Sequence, residues 1–130
     1  MKVFTLKKRK DFLKAAKEFK VVTNGLILQA ALSFRPSEHP CCFVGYTATK
    51  KLGKAHVRNK TKRRLRAAVS LVFADNALDG VNYVVIGRHN TTKLNFDYLV
   101  KKLKDALETI NQQISNRENI DDKKINDFAD

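Results

Sequence analysis

The spacing of apolar positions along this chain changes several times, and each change marks an element. Phe12, Ala16 and Phe19 recur at i, i+4 and i+7, which predicts a short helix after a basic stretch within residues 1–20. Asp11 suits its first turn and Lys17 and Lys20 its last, by the helix dipole. Residues 26–34 alternate instead. Leu26, Leu28, Ala30, Leu32 and Phe34 share one face of a strand, and Ile27, Gln29, Ala31 and Ser33 share the more polar one. Both prolines fall in residues 35–40, a loop. Residues 42–49 form a second strand, and the connection is short enough for an antiparallel pair. Val44, Tyr46 and Ala48 can face a core. Gly45, Thr47 and Thr49 then make a face of small and hydroxyl-bearing groups, which is either solvated or a binding surface.

A longer period follows. Val57, Thr61, Leu65, Ala68, Val69 and Val72 trace one stripe of a helix over residues 55–74, and Asp75-Asn76 and Asp79-Gly80 mark its exit. Residues 81–88 are almost continuously apolar, as expected of a central strand. Asn95 is a good N-cap for a last helix carrying Phe96, Leu99, Val100, Leu103, Leu107, Ile110 and Ile114. After Ser115 the pattern fades, so residues 1–115 read as one domain and 116–130 as a mobile tail. The order helix–strands–helix–strand–helix predicts an α+β fold, an α/β sandwich with a small mixed sheet and a long basic helix. If the strands at 42–49 and 81–88 are parallel, they form a βαβ unit with that helix.

Composition narrows the partner. In 130 residues, 26 Lys and Arg face 13 Asp and Glu, a net charge of +13. Such an excess points to a polyanion, either nucleic acid or an anionic membrane surface. No apolar run reaches the roughly 18 residues of a membrane span. The basic N-terminus leads into no signal-peptide core, so the expected location is the cytoplasm. Cys41 and Cys42 are adjacent, and neighbouring strand side chains point to opposite faces. Without a second Cys or His pair they read as reduced strand thiols, not a metal site.

The charge is concentrated. The seventeen residues 50–66 include Lys50, Lys51, Lys54, Arg58, Lys60, Lys62, Arg63, Arg64 and Arg66, and no acid. Arg58, Lys62 and Arg66 form an i, i+4 ladder of like charges, and Asn59, Arg63 and Arg66 an overlapping one in which the two arginines are the like charges. Such ladders repel. Phosphates would relieve the repulsion and release counterions, with a strong salt dependence. Among the cations, Asn59 can read a base edge or a 2′-hydroxyl. The plain alternative is a solvated basic face, but the apolar stripe opposite argues for a helix packed rigidly on a core. The stretch 50–54 lacks the spaced glycines of a Walker loop, yet a phosphate-cradling turn at a helix N-terminus fits it.

The block Thr47-Ala48-Thr49-Lys50-Lys51-Leu52-Gly53-Lys54-Ala55-His56-Val57-Arg58-Asn59-Lys60-Thr61-Lys62-Arg63-Arg64-Leu65-Arg66 resembles the signature of the bacterial ribonuclease P protein subunit. In that family a Lys-Lys-x-Gly-x-Ala turn runs into an Arg-Asn-Arg-x-Lys-Arg helix. Asp11-Phe12 and the segment 83–88 resemble further family blocks, and the likeness spans roughly residues 6–110. Lys60 stands where the motif has its second Arg, His56 where a small apolar residue is usual, Ala67 where an acid often follows, and Ala16 where some members carry an aromatic. The resemblance implies a left-handed crossover and an RNA-based endoribonuclease that removes the 5′ leader of precursor tRNA. Lys50, Lys51, Gly53, Arg58, Asn59, Lys60, Lys62, Arg63 and Arg66 would bind the catalytic RNA. Phe12, Gln29, Thr47 and Thr49 would line a cleft for the leader. No catalytic or metal-ligating residue is expected in the protein, and the divalent metal, such as Mg²⁺, belongs to the RNA-containing holoenzyme. The partners implied are the catalytic RNA and precursor tRNA, with no further protein and no membrane.

Three rivals differ in what they require. A protein-only nuclease needs groups acting in concert, and nothing in the sequence pairs His39, His56 and His89; Asp121, Asp122, Asp127 and Asp130 lie in the tail. A general RNA-binding module, such as a ribosomal protein, shares the charge but not the Lys-Lys-x-Gly…Arg-Asn block. A helix-turn-helix would place its basic helix after a short helix and turn, not between strands.

Overall fold

The computed structural model describes residues 1–33 and 38–128, with side chains described as far as Glu118. The elements are β1 (Lys2–Thr5), α1 (Arg9–Glu18), β2 (Phe19–Thr23), β3 (Leu26–Leu32), β4 (Cys41–Thr47), a 3₁₀ turn (Lys50–Leu52), α2 (Ala55–Asn76), β5 (Val81–Gly87) and α3 (Phe96–Phe128). The five strands form one sheet in the order β1-β4-β5-β3-β2. β5, the most apolar strand, is central, and it pairs with β4 in parallel and with β3 antiparallel. β4 and β5 are parallel, so with α2 they form the βαβ unit that the sequence made conditional on that orientation.

Three expectations need correction. The chain begins with a strand, not with a tail leading to a helix: β1 lies parallel to β4 at the sheet edge. β3 and β4 are not an antiparallel pair, because β5 lies between them. The first helix does not bury Phe12, Ala16 and Phe19 together. It ends at Glu18, and Phe19 opens β2 with an extended backbone. The buried residue of α1 is Ala15, beside half-buried Phe12, while Ala16 is exposed. The β2–β3 hairpin turns on Asn24-Gly25, with Thr23 opposite Leu26. Gly25 takes φ +104°, and a Cβ there would lie 2.6 Å from Leu94 Cδ1, so both backbone and space ask for glycine. Phe34 and residues 35–37 of the expected strand end and loop lie outside the described residues.

Alternation along the strands divides the core in two. On one face Leu26, Leu28 and Ala30, Cys42 and Val44, and Val81, Tyr83 and Val85 pack against α2 and α3. From α2 come Leu65, Ala68, Val69, Val72 and Phe73, with Thr61 also buried; from α3 come Leu99, Leu103, Ala106, Leu107, Ile110 and Ile114. On the other face Ala31 and Val84 meet Leu6 and Ala15, with Phe12, Phe43 and Ile86 partly covered. α1 thus covers one face alone. Ile114 is the last core residue of α3 among the described side chains, close to where the apolar period fades, and the helix itself continues to Phe128.

Candidate nucleic-acid interface

α2 presents its charge outward from a firmly held base. A Cβ on Gly87 would collide with Thr61 Cγ2, so the helix approaches β5 more closely there than any side chain would allow. The Thr61 hydroxyl donates to Val57 O at 2.8 Å, which satisfies it within the helix. At the far end, Leu78 N donates to the Tyr83 hydroxyl (2.9 Å), which donates to Asn111 Oδ1 (2.6 Å), and Asn111 Nδ2 donates to Asn76 O (2.8 Å). This chain of bonds ties the end of α2 to β5 and α3. Arg64 is spent on the same scaffold: its guanidinium donates to Leu94 O and lies 5.8 Å from the centre of the Phe96 ring.

The other cations point elsewhere. Asn59, Lys60, Arg63 and Arg66 are exposed, and Arg58 and Lys62 are half-buried on the flank of the stripe. Arg66 Cζ lies over the Tyr46 ring, 5.4 Å from its centroid, a cation–π contact. Burial raises the Tyr46 hydroxyl to about 12 and Arg66 pulls it back, so this tyrosine stays neutral. Arg58 Nε is shut off from water and bonded to nothing. Among the described residues no α2 cation forms an ion pair; the ion pair present there is Lys14 with Glu18 on α1, at 3.9 Å. A helix of this charge with no acid in its first turn and no side-chain cap at Lys54 leaves amide N–H groups and cations together at its N-terminus. That is an anion-binding arrangement. The 3₁₀ turn before it sets Lys50 and Lys51 in solvent. Gly53 closes the turn at φ +127°, a conformation that L side chains rarely adopt.

The second surface lies on the α1 face. The sheet register sets Thr47, Ile86, Ile27 and Val22 in one row across β4, β5, β3 and β2, and Gly45, Val84, Gln29 and Lys20 in the next. Thr47, Ile86, Ile27 and Gln29 are half-buried and Val22 is 55% exposed, so the first row is an open strip. Phe12 stands beside it. A Cβ on Gly45 would collide with Phe12 Cζ, so glycine is the seat of the phenyl ring. The ring is therefore partly core and partly available, and Phe12, Gln29 and Thr47 share one surface. Thr49 departs from the expectation. β4 ends at Thr47, and Thr49 instead caps the 3₁₀ turn as an exposed residue, its carbonyl accepting from Leu52 N at 3.1 Å. Strand alternation therefore does not carry Thr49 into the cleft. Likewise Ala48, expected in the core, is half-buried beyond the strand end. Ile27, Ile86 and Val22 join this surface without any expectation from the sequence. The Asn24-Gly25 pair, a strong hairpin signal, would have placed β2 and hence Val22.

Other chemistry is spread out. His56 follows the end of β4 and His89 the end of β5, both exposed, while His39 precedes β4 at the opposite end of the sheet. Among the described residues no three His, Cys, Asp or Glu side chains are grouped to hold a metal ion. Cys42 is buried, and burial, with Cys41 adding to it, pushes its thiol up to about 12. It is a core residue, not a nucleophile. No described helix is long and apolar enough to cross a membrane.

Comparison with known proteins agrees with this architecture. The family model for ribonuclease P matches residues 1–111. The ribonuclease P protein component of Gluconacetobacter diazotrophicus is 47% identical over 78% of this chain and 86% of its own length. That of Paramagnetospirillum magneticum is 44% identical over 81% of this chain and 80% of its own. The solved ribonuclease P protein of Thermotoga maritima superposes with a TM-score of 0.67 at 25% identity, covering 82% of this chain and 96% of the other. With the mixed sheet, the cationic α2 and the Lys50–Arg66 block on one scaffold, the chain belongs to the ribonuclease P protein family.

Proposed function

We propose that the two surfaces divide the work of a ribonuclease P protein subunit: α2 and the turn before it hold the catalytic RNA, and the strip beside Phe12 holds the 5′ leader of precursor tRNA. The observation that carries this is the unpaired cationic face of a rigidly seated helix. Its cations form no ion pair with any described carboxylate, so their repulsion is relieved when phosphates arrive. Lys50, Lys51, Arg58, Lys60, Lys62, Arg63 and Arg66 supply charge, Gly53 shapes the turn, and Asn59 supplies a donor and an acceptor for a base edge or 2′-hydroxyl.

On the second surface the phenyl edge of Phe12 stacks on a leader base, and Gln29 and Thr47 bond to its polar groups. Thr49, at the mouth of the 3₁₀ turn, lies where leader and catalytic RNA would meet. Mature tRNA lacks the leader, so contacts on this strip favour substrate over product. The RNA subunit, with a divalent metal ion such as Mg²⁺, supplies the cleavage that leaves a 5′ phosphate on the tRNA. The protein contributes no catalytic group and needs no second protein, and its place of work is the cytoplasm with the tRNA precursors.

Reconstitution tests this. RNA-free protein is expected to leave precursor tRNA intact at any metal concentration, and addition of a ribonuclease P RNA to restore cleavage at the leader junction. Cleavage that co-elutes with the protein and survives ribonuclease digestion of contaminating RNA would sink the division of labour.

A further inference from the structure

Two arginines of α2 lie over aromatic rings, and they differ in what their donors do. Arg64 Cζ is 5.8 Å from the centre of the Phe96 ring, and its guanidinium is spent on Leu94 O, with Nε sealed from water. Arg66 Cζ is 5.4 Å from the centre of the Tyr46 ring, and Arg66 forms no hydrogen bond or ion pair among the described residues. Arg64 is half-buried and Arg66 exposed. The same kind of contact thus closes one cation into the scaffold and leaves the other with its five N–H donors open to a ligand. Among the described residues the remaining α2 cations, Arg63 included, lie over no ring.

The Tyr46 ring has a fixed seat. It lies on β4 opposite Val85 of the central strand, half-buried against the main core. Beside it a cavity of about 350 Å³ opens between β1 and α2, where Met1, Val3, Val69 and Ser70 join Tyr46 and Arg66 in a lining that holds no carboxylate. The Ser70 hydroxyl already donates to Ala67 O at 2.7 Å. No opposite charge in this lining draws Arg66 back, so the ring is what sets its place. Attraction to the ring face needs no hydrogen bond and consumes no donor. A free arginine on a helix surface gives up rotamer freedom when a phosphate arrives, and one already placed gives up less. We infer that Tyr46 is a positioning residue: its ring holds the Arg66 guanidinium ready for an RNA phosphate and so strengthens the grip of α2 without touching RNA itself. The inference rests on the reading of α2 as the RNA-holding surface.

A double-mutant cycle on the affinity of the full-length protein for a ribonuclease P RNA transcript tests this. Tyr46→Leu keeps an apolar side chain against the core and removes the ring, and it should weaken binding about threefold. Tyr46→Phe keeps the ring and should bind as the wild type does. In an Arg66→Ala background, Tyr46→Leu should cost nothing further. A purely structural role for Tyr46 would instead lower affinity equally in both backgrounds, along with the melting temperature. A second measurement needs neither RNA nor a substitution at Tyr46: in the free wild-type protein, ¹⁵N relaxation should show the Arg66 Nε–H more restricted than that of Arg63. Equal losses in the two backgrounds, no loss in Tyr46→Leu, or an Arg66 Nε–H as mobile as that of Arg63 overturns the inference. Failure of the ribonuclease P reading shows separately, as equal wild-type affinity for that transcript and for an unrelated one of the same length, and the coupling between Tyr46 and Arg66 is read on either RNA.

Discussion

The two faces of the sheet use the same strands to opposite ends. One face is closed: α2 and α3 bury it, and the cations of α2 stand on its outside, held by packing at Gly87 and by the Tyr83–Asn111–Asn76 bonds. The other is left open. The single short helix α1 covers part of it and leaves half-buried Ile27, Gln29, Thr47 and Ile86 beside the Phe12 ring. The closed face lends rigidity to a charged helix surface, and the open face offers a strip whose first row, Thr47, Ile86, Ile27 and Val22, carries no charge. Charge on a fixed helix gives strong, salt-sensitive attachment that suits a permanent RNA partner. A neutral stacking groove gives weaker, sequence-tolerant contact that suits a substrate passing through.

The largest expected effect comes from breaking the charged side. Replacing Arg58, Lys62 and Arg66 together with Ala should lower affinity for the RNA subunit. The slope of log K against log salt should fall by about one unit for each phosphate that is no longer neutralised. Melting temperature should hold or rise, since like charges are removed. Removal of Arg66 also uncovers Tyr46, a small apolar cost on the other side of that balance. Filter-binding across a salt series checks this, and an unchanged slope would mean that the ladder is only solvated.

Next in size is the groove. Phe12→Ala should weaken affinity for leader-bearing precursor about tenfold or more, since a base–aromatic stack is worth roughly 1–3 kcal/mol and about 1.4 kcal/mol is tenfold, and leave mature tRNA nearly unaffected. Because Phe12 is also partly core, this variant should melt earlier. Gly45→Ala separates the two roles. The new methyl displaces the ring from its seat while keeping its apolar area, so precursor affinity should fall as in Phe12→Ala while assembly with the RNA subunit stays within about twofold. Equal losses on precursor and mature tRNA would remove Phe12 from leader contact.

The same contrast explains what can be read in the sequence. The closed face is legible because α2, β5 and α3 are long and strongly periodic, and the cationic block sits in one of them. Of its expected stripe, Thr61, Leu65, Ala68, Val69 and Val72 are buried and Val57, near the helix start, is half-buried. The open face reads less well because it is built from short pieces. β1 has four residues and β2 has five, too few for a period to show within basic sequence. Phe19 fits the helical spacing of Phe12 and Ala16, but the chain leaves the helix at Glu18, and tertiary pairing with Ala30 decides its conformation. The order of β3, β5 and β4 cannot come from loop length, since β5 enters between two strands that precede it. Alternation places Thr49 in the cleft only if the strand runs two residues past its true end at Thr47.

The smallest expected effect reports on the closed face alone. Cys42 and Tyr83 are fully buried there, and burial raises both groups, Cys42 from 9.0 to about 12. A folded pKa above the unfolded one means that the folded state binds more protons in between. Stability from this source is complete below pH 9.0 and is lost as pH rises toward about 12, the unfolded thiol ionising first. Cys42→Ala removes the titrating group, so its melting temperature should start slightly lower for the lost sulfur but decline less steeply between those limits. Open-face variants such as Phe12→Ala should keep the wild-type slope, since the first row of that groove, Thr47, Ile86, Ile27 and Val22, carries no titrating side chain. Thermal melts in alkaline buffers, with Phe12→Ala and Cys42→Ala run side by side, distinguish the faces. Parallel slopes for Cys42→Ala and wild type would show that the thiol is not sealed by α2 and α3.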